Sequence, residues 1–160
     1  LSVSSAASDV YKRQPIHSYG GNDINLISGK LNLLKIKQIL KKHGHIMCQK
    51  FLNKIKFGDK RVFIINGKVC GAISRVPKSG SILSNMSKGA KPKIAFLSNK
   101  ELKISNIIAK KIKKDGIYFA GIDFIDGKLN GDINVTSPTG IKTYFDLSQI
   151  NLAKTFWKGL

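Results

Sequence analysis

The sequence has 160 residues, 42% of them hydrophobic, which favours one domain with a buried core, and no run approaches the roughly 18 apolar residues of a membrane-spanning helix. The formal net charge is +19, yet only Arg13, Arg61 and Arg75 are arginines and the other basic residues are lysines. Because sequence-specific nucleic-acid recognition favours the planar fork of arginine, the charge indicates a solvated lysine surface, with a basic nucleic-acid-binding module as the alternative.

Residues 1–14, LSVSSAASDVYKRQ, are rich in Ser and Ala, whereas the rest of the chain is rich in Lys, Ile and Asn. The end of this stretch resembles the translation of a sequencing-adapter sequence. We therefore expect residues 1–14 to be a non-native tail, with a genuine disordered tail as the alternative. The native protein would then continue upstream of Pro15, and residues 15–160 would be a fragment of it.

The first half of the chain shows a loop, a helix and a strand in sequence order. Residues 15–24 form a polar, glycine-bearing loop, and the apolar spacing over 31–43 predicts a helix that ends before Gly44. A strand follows over 45–52. Residues 60–67 and 68–76 then predict two strands joined at Asn66-Gly67, a strong hairpin pattern.

The second half begins with a long flexible loop over residues 77–92. Ser98 and Glu101 form a capping box, and the helix it opens carries one apolar face and ends at Asp115-Gly116. That face is predicted to consist of Leu102, Ile104, Ile107, Ile108 and Ile112. Strands over 117–125 and 129–135 meet at Asp126-Gly127, and a last helix runs roughly over 147–158 with Trp157 as a packing anchor. The pattern predicts an α+β fold with an antiparallel sheet flanked by helices.

The cysteines and histidines give no sign of a metal site. Cys48 and Cys70 lie in apolar, strand-like segments and are predicted to be buried small hydrophobes. No pairing pattern or secretory signal accompanies them, which favours a reducing cytoplasm. His17, His43 and His45 do not have the spacing of metal ligands.

The second hairpin carries acidic residues where an apolar strand is expected. If Asp126-Gly127 is a two-residue turn, Asp123 pairs with Asn130 and Gly121 pairs with Asp132, so Asp123, Asp132 and Asn134 share one face of the sheet. Oxygen ligands of this kind suit Mg²⁺ or Mn²⁺. The alternative is a hairpin whose carboxylates balance nearby lysines.

Four stretches resemble the C-terminal part of prokaryotic glutathione synthetases, which are ATP-grasp ligases: GDKRV, ISRVP, GIDFIDGKL and DINVTSPTGI. The resemblance covers residues 15 to about 158. It implies a partial ATP-grasp ATP-binding domain and an enzyme that joins γ-glutamylcysteine to glycine, using ATP and Mg²⁺ or Mn²⁺, through an acyl phosphate. It also implies a cytoplasmic, homo-oligomeric full-length protein. Other ATP-grasp carboxylate–amine ligases tend to end in a shorter Asn-x-Ser-Pro-Gly pattern, and they are the alternative function.

The resemblance assigns roles to individual positions. Asp123, Asp132 and Asn134 match the metal ligands, although the family usually has Glu at position 132 and one residue fewer before it. Arg61 and Arg75 match arginines that contact phosphate and the reacting carboxylate, a task suited to planar bidentate recognition.

The remaining assignments concern nucleotide and substrate. Gly20 and Gly21 lie in the glycine-rich loop over the phosphates, and Asn85 lies in the long loop, whose glycines are partly replaced here. The segment matching the adenine-binding backbone is Gln49, Lys50, Phe51 and Leu52. The turn matching the substrate-carboxylate site is Ser137, Pro138 and Thr139. The family has a phosphate-binding Lys where this chain has Gln14, so we expect the chain as given to be nearly inactive.

Overall fold

A computed structural model describes residues 11–15, 25–27, 33–78 and 89–159. The chain divides into two units, Leu1–Asn53 and Lys54–Leu160. Within the described ranges no helix combines the length and the apolar character needed to cross a membrane.

The first unit contains a small antiparallel sheet with strand order β2-β1-β3. Its elements are β1 (Tyr11–Pro15), β2 (Asn25–Ile27), α1 (Leu33–His43) and β3 (Ile46–Lys50). The sequence predicted α1 and β3 but neither of the other strands. Strand β1 includes the last four residues of the predicted non-native tail and pairs with β3. The origin of residues 1–14 stays a prediction.

The second unit is built on a five-stranded antiparallel sheet with strand order β6-β5-β4-β7-β8. A 3₁₀ helix over Asn53–Phe57 precedes it. The elements that follow are β4 (Asp59–Ile65), β5 (Lys68–Val76), β6 (Lys91–Ile94), α2 (Asn99–Lys114), β7 (Phe119–Ile125), β8 (Lys128–Asn134), α3 (Ile141–Ser148) and α4 (Leu152–Trp157). The predicted α+β fold with an antiparallel sheet is confirmed.

Both predicted hairpin turns are present, and their backbone geometry explains the residues found there. Asn66 and Gly67 have φ of 48° and 73°, and Asp126 and Gly127 have φ of 51° and 68°. Two successive positive φ values are what a tight two-residue hairpin turn requires, and Asn-Gly and Asp-Gly adopt them most readily. The turns therefore fix the starting register of each hairpin.

Each face of the second sheet buries its own hydrophobic cluster, because side chains alternate along the strands. On one face Val62, Ile64 and Ile122 pack with Ala109 and Ile112 of α2. On the other face Phe63, Ile65 and Ile73 pack with Tyr144 of α3 and Leu152 of α4. Strand β4 is buried on both faces and forms the centre of the unit.

Helix α2 begins at the predicted capping box, and its predicted apolar face is confirmed in part, since Ile104, Ile108 and Ile112 pack in the hydrophobic core. The Ser98 hydroxyl accepts from the Glu101 amide, and the Glu101 carboxylate accepts from the Ser98 amide. Its four buried residues are Glu101, Ser105, Ala109 and Ile112. Leu102 and Ile107, which were predicted to be on the buried face, are 40% and 59% exposed. Only one stripe of a helix can contact the sheet, and here that stripe includes the small side chains of Ser105 and Ala109.

The C-terminal region contains two short helices where the sequence predicted one. Gln149 adopts φ of 60° and ends α3, and the Asn151 side chain caps the start of α4 by accepting from the Lys154 amide. The prediction that Trp157 anchors the packing is wrong for the described residues, since the side chain contacts Phe156 and is 71% exposed.

Two further predictions are corrected by the structure. Cys48 is exposed and Cys70 is half-buried, so neither is a fully buried hydrophobe. Strand β6 was missed because it has four residues and contains Pro92, which lowers the strand propensity and suits only an edge strand.

Candidate active site

A set of charged side chains lies at one end of the sheet face that also carries Phe63, Ile65 and Ile73. Asp59 and Arg61 come from β4, Arg75 from β5 and Asp123 from β7. The register pairs Asp59 with Arg75 and Arg61 with Asp123, so all four residues share that face. We call these four residues the ion-pair cluster.

Each arginine of the ion-pair cluster is held by one carboxylate through two hydrogen bonds. Nε and Nη2 of Arg61 donate to Asp123 Oδ1 and Oδ2 over 2.8 and 2.7 Å. Nε and Nη2 of Arg75 donate to Asp59 Oδ1 and Oδ2 over 2.8 and 2.5 Å. Arg75 Nη2 also donates to Asp123 Oδ2 over 2.9 Å and joins the two pairs. Bidentate geometry of this kind fixes the plane of a guanidinium group.

The ion-pair cluster is almost completely buried, with no residue more than 6% exposed. Burial alone would raise the pKa of Asp123, but the hydrogen bond from Arg61 and the charge of Arg75 outweigh it and hold that pKa below its usual range. Two arginines and two carboxylates balance formally. Because burying four charges is costly, the arrangement is weak evidence for stability and stronger evidence for a chemical role.

Asp132 lies next to the ion-pair cluster but remains largely open to solvent. Its Oδ2 is 3.9 Å from Arg61 Nη2, and 57% of its side chain is exposed. Partial burial, followed by the negative charge of Asp123, raises the pKa of Asp132 above its ordinary value. A cation would relieve this repulsion between carboxylates, while both oxygens of Asp123 already accept hydrogen bonds from Arg61 and Arg75.

The predicted register of the second hairpin is wrong beyond its turn. The pairing shifts between Ile122 and Phe124, so that Gly121 pairs with Asn134 instead of Asp132. The shift is by two residues, which leaves alternate side chains on the same faces. Asp123 and Asp132 therefore still lie near the same arginine, Arg61, as their shared face predicted. The register shift occurs at the additional residue in KLNGD.

The turn after β8 contacts the ion-pair cluster through Arg61. Arg61 Nη1 donates to Thr139 Oγ1 over 3.3 Å and to the Thr139 carbonyl oxygen over 3.5 Å. A side chain at Gly121 would come within 3.3 Å of Pro138 and 3.6 Å of Arg61, so the absence of a Cβ lets both pass over β7. The predicted substrate turn and the predicted catalytic arginine thus lie together.

Asn134 organises this turn through its side-chain amide. Its Oδ1 accepts from the amides of Thr136 and Ser137 over 3.2 and 3.0 Å, and its Nδ2 donates to the Ser137 carbonyl oxygen over 3.2 Å. A metal ligand role for Asn134 would compete with these bonds. Among the described residues no group of three or more His, Cys, Asp or Glu side chains is arranged to hold a metal ion.

The described structure does not test the other predicted site residues. Gly20, Gly21 and Asn85 lie outside the described residues. Gln49 and Lys50 end β3 in the first unit, and Phe51 and Leu52 follow in a half-buried segment. Those assignments stay predictions.

Asp59 is the member of the ion-pair cluster that the sequence analysis did not single out. Its position two residues before Arg61 on a strand places both on one face, which is a pattern the sequence contains. The pairing of Asp59 with Arg75 is harder to predict from the sequence, because a regular hairpin from Asn66-Gly67 would put Arg75 opposite Gly58. A register shift between Phe63 and Ile64 moves Arg75 opposite Asp59.

Solved structures with a similar chain fold identify the fold of this protein. D-cycloserine synthetase DcsG superposes with a TM-score of 0.62 at 11% identity, covering 81% of this chain and 48% of that one. The ATP-grasp ligase PsnB with a minimal precursor gives 0.59 at 16% identity, covering 95% and 48%. D-alanine–D-alanine ligase from Bacillus anthracis complexed with ATP gives 0.56 at 14% identity, covering 94% and 46%. The chain has the ATP-grasp fold.

Sequence relatives narrow this class to one family. Residues 5–149 match the family described as prokaryotic glutathione synthetase, ATP-grasp domain. The chain is 35% identical to glutathione synthetase of Rhodopseudomonas palustris over 152 residues, covering 90% of this chain and 47% of the relative. It is 33% identical to that of Synechocystis sp. over 144 residues, covering 88% and 45%. The chain belongs to the prokaryotic glutathione synthetase ATP-grasp family and spans about half the length of these relatives.

Proposed function

We propose that the complete protein is a glutathione synthase, which joins γ-glutamylcysteine to glycine with ATP through an acyl phosphate. The family carries this proposal, together with one observation: Arg61 and Arg75 lie 6% and 4% exposed on one face, each oriented by a carboxylate. Phosphoryl transfer depends mainly on positioning and charge neutralisation, and two fixed guanidinium groups supply both.

The two arginines would act on different parts of the reacting groups. Arg61 already contacts Thr139 of the turn proposed to hold a substrate carboxylate, so it would orient the acid that becomes the acyl phosphate. Arg75 would stabilise the charge on the transferred phosphoryl group. The pairing of Arg61 with Asp123 keeps its guanidinium plane fixed before substrates arrive, which lowers the cost of reorganisation.

A divalent cation is proposed at Asp123 and Asp132, with Asn134 as a third oxygen donor. The raised pKa of the half-open Asp132 carboxylate, caused by partial burial and by Asp123, supports a cation at this place. When bound, Mg²⁺ or Mn²⁺ would neutralise charge on the nucleotide phosphates. To bind the metal ion, Asn134 Oδ1 would have to give up a hydrogen bond that it accepts from the turn.

The experiment that tests the function uses the protein encoded by the complete gene. We would measure ADP release with γ-glutamylcysteine, with glycine, and with both. Release that requires both substrates, with glutathione as the product, would establish the proposal. Release with other acids or amines would retain an ATP-grasp ligase and overturn the substrates.

A protein that turns over no ATP would contradict the ligase proposal altogether. Binding of nucleic acid, steeply weakened by salt, would then favour the alternative based on the lysine surface. The cytoplasmic location, the homo-oligomeric assembly and the low activity of the chain as given stay predictions.

A further inference from the structure

Asp59 holds Arg75 in the same way that Asp123 holds Arg61. Both carboxylates accept from Nε and Nη2 of their arginine, at distances between 2.5 and 2.8 Å. Both pairs are 4–6% exposed. Asp123 is also proposed to hold the metal ion with Asp132, whereas the proposed function gives Asp59 no contact with metal, nucleotide or substrate.

The position of Asp59 is set by the backbone of Gly58 before it and by the strand opposite it. Gly58 has φ of 102°, and a Cβ at Gly58 would lie 2.8 Å from the carbonyl oxygen of Arg75. The start of β4 therefore approaches the backbone of β5 closely. Asp59 and Arg75 are directly opposite on the two strands, so the carboxylate has a short, rigid connection to the guanidinium group.

We propose that Asp59 is a positioning residue that orients Arg75 for the reaction. By binding Arg75, it also keeps that guanidinium group from forming further hydrogen bonds with Asp123. This inference rests on the proposed function, in which Arg75 contacts the transferred phosphoryl group. Among the described residues, the hydrogen bonds of Arg75 to carboxylates use Nε and Nη2, so Nη1 is the donor that we assign to the transferred phosphoryl group. Without the Asp59 carboxylate, Arg75 has Asp123 as its remaining carboxylate in the ion-pair cluster and turns toward it.

The first test measures hydrogen exchange by NMR and needs no catalysis. Because the sequence contains only three arginines, the side-chain Nε–H group of each can be assigned. In the 160-residue chain, Asp59→Asn is expected to accelerate hydrogen exchange at Arg75 Nε at least tenfold and to leave Arg61 nearly unchanged. Asp146→Asn is the matched control, since Asp146 pairs with Lys142 on the exposed side of α3. Equal exchange at Arg75 in native and Asp59→Asn protein would overturn the proposal.

Asp59→Glu keeps the test valid if Asp59→Asn does not fold. It retains the charge but moves the carboxylate by one methylene group. The expected result is intermediate exchange at Arg75 with no change at Arg61. A folded Asp59→Glu protein with native exchange at Arg75 would contradict the positioning role.

The second test is a double-mutant cycle on the complete protein. Asp59→Asn is expected to lower kcat about tenfold or more while KM for ATP changes less than threefold, because Arg75 contacts a charge that develops in the transition state. In an Arg75→Lys background the same change should lower kcat less than twofold, since Asp59 acts through Arg75. An equal loss in both backgrounds would overturn the proposal. If the complete protein shows no turnover, the proposed function fails and the exchange experiment still decides the role of Asp59.

Discussion

At the scale of single residues, Ser105 on α2 is completely buried. Among the described residues, its hydroxyl oxygen is the one buried side-chain polar atom without a hydrogen-bond partner. A buried donor without a partner costs about 1–3 kcal/mol, and Ala has the higher helix propensity. We expect Ser105→Ala to stabilise the fold by about 0.5–1 kcal/mol in urea unfolding.

Ser148 is the control for that prediction, since it occupies a helix but makes both bonds that Ser105 lacks. Its hydroxyl donates to the Tyr144 carbonyl oxygen over 2.7 Å and accepts from the Ile150 amide over 3.1 Å. Ser148→Ala should therefore destabilise the protein by about 1 kcal/mol. A loss of stability in both variants would contradict the account of Ser105.

Gly71 is a second position where one methyl group matters. A Cβ at this residue of β5 would lie 2.5 Å from the ring of Tyr144, which is buried and packs edge-on against Phe63. Overpacking of this kind costs about 1–3 kcal/mol. Gly71→Ala should lower the free energy of unfolding by that amount, and Tyr144→Leu should remove most of the effect. Additive losses in the double variant would show that the ring is not the cause.

At the scale of elements, the start of α2 depends on one buried carboxylate. Glu101 Oε2 accepts from Lys60 Nζ of β4 and from the Ser98 amide, both over 2.8 Å. Burial alone would raise the pKa of Glu101, but these bonds outweigh it and lower that pKa. The carboxylate therefore joins the helix to the neighbouring sheet as well as capping it.

The lowered pKa of Glu101 predicts a pH dependence of stability. The stabilisation is fully present above the unfolded pKa of about 4.3 and is lost as the pH falls through the lower folded value. Glu101→Gln should cost about 1–3 kcal/mol at pH 7. The difference from native protein should shrink on acidification below about pH 4.3. Asp146→Asn, an exposed i,i+4 pair, should cost at most about 0.5 kcal/mol at pH 7. A Glu101→Gln cost that is constant from pH 7 to pH 3 would refute this account.

At the scale of the whole molecule, the net charge of +19 and the acidic second hairpin predict different roles for Asp132. Asp132→Asn is expected to weaken binding of Mg²⁺-nucleotide to the complete protein about tenfold or more, because the proposed cation loses a carboxylate. Asp126→Asn is the matched control, since it makes the same charge change at the exposed turn of the same hairpin. Calorimetry of both variants distinguishes the two roles.

A basic nucleic-acid-binding module predicts a different pattern for the same two variants. Removing either carboxylate would then strengthen binding to a polyanion slightly and equally, and would leave nucleotide binding alone. Equal nucleotide affinities in Asp132→Asn and Asp126→Asn would therefore remove Asp132 from the metal site.

The sequence by itself determined the local structure of this protein. The helices α1 and α2, the two hairpin turns and most strands follow from apolar periodicity, the capping box and the Asn-Gly and Asp-Gly pairs, because these patterns act between residues close in sequence. The motifs around Arg61, Arg75 and Asp123 also indicated the family, which the comparisons confirm. Strand β6 and the break at Gln149 were beyond local patterns, since they depend on neighbouring elements.

Only the tertiary structure decided how the charged residues meet. In the first hairpin one additional residue on β5 shifts the register, and a shift of one residue moves Arg75 to the face of Asp59 and Arg61. In the second hairpin the shift is by two residues, so Asp123 and Asp132 keep the common face that the sequence predicted. Side chains alternate with a period of two along a strand. An odd shift therefore changes which residues meet, and an even shift does not, and packing across the whole sheet selects between them.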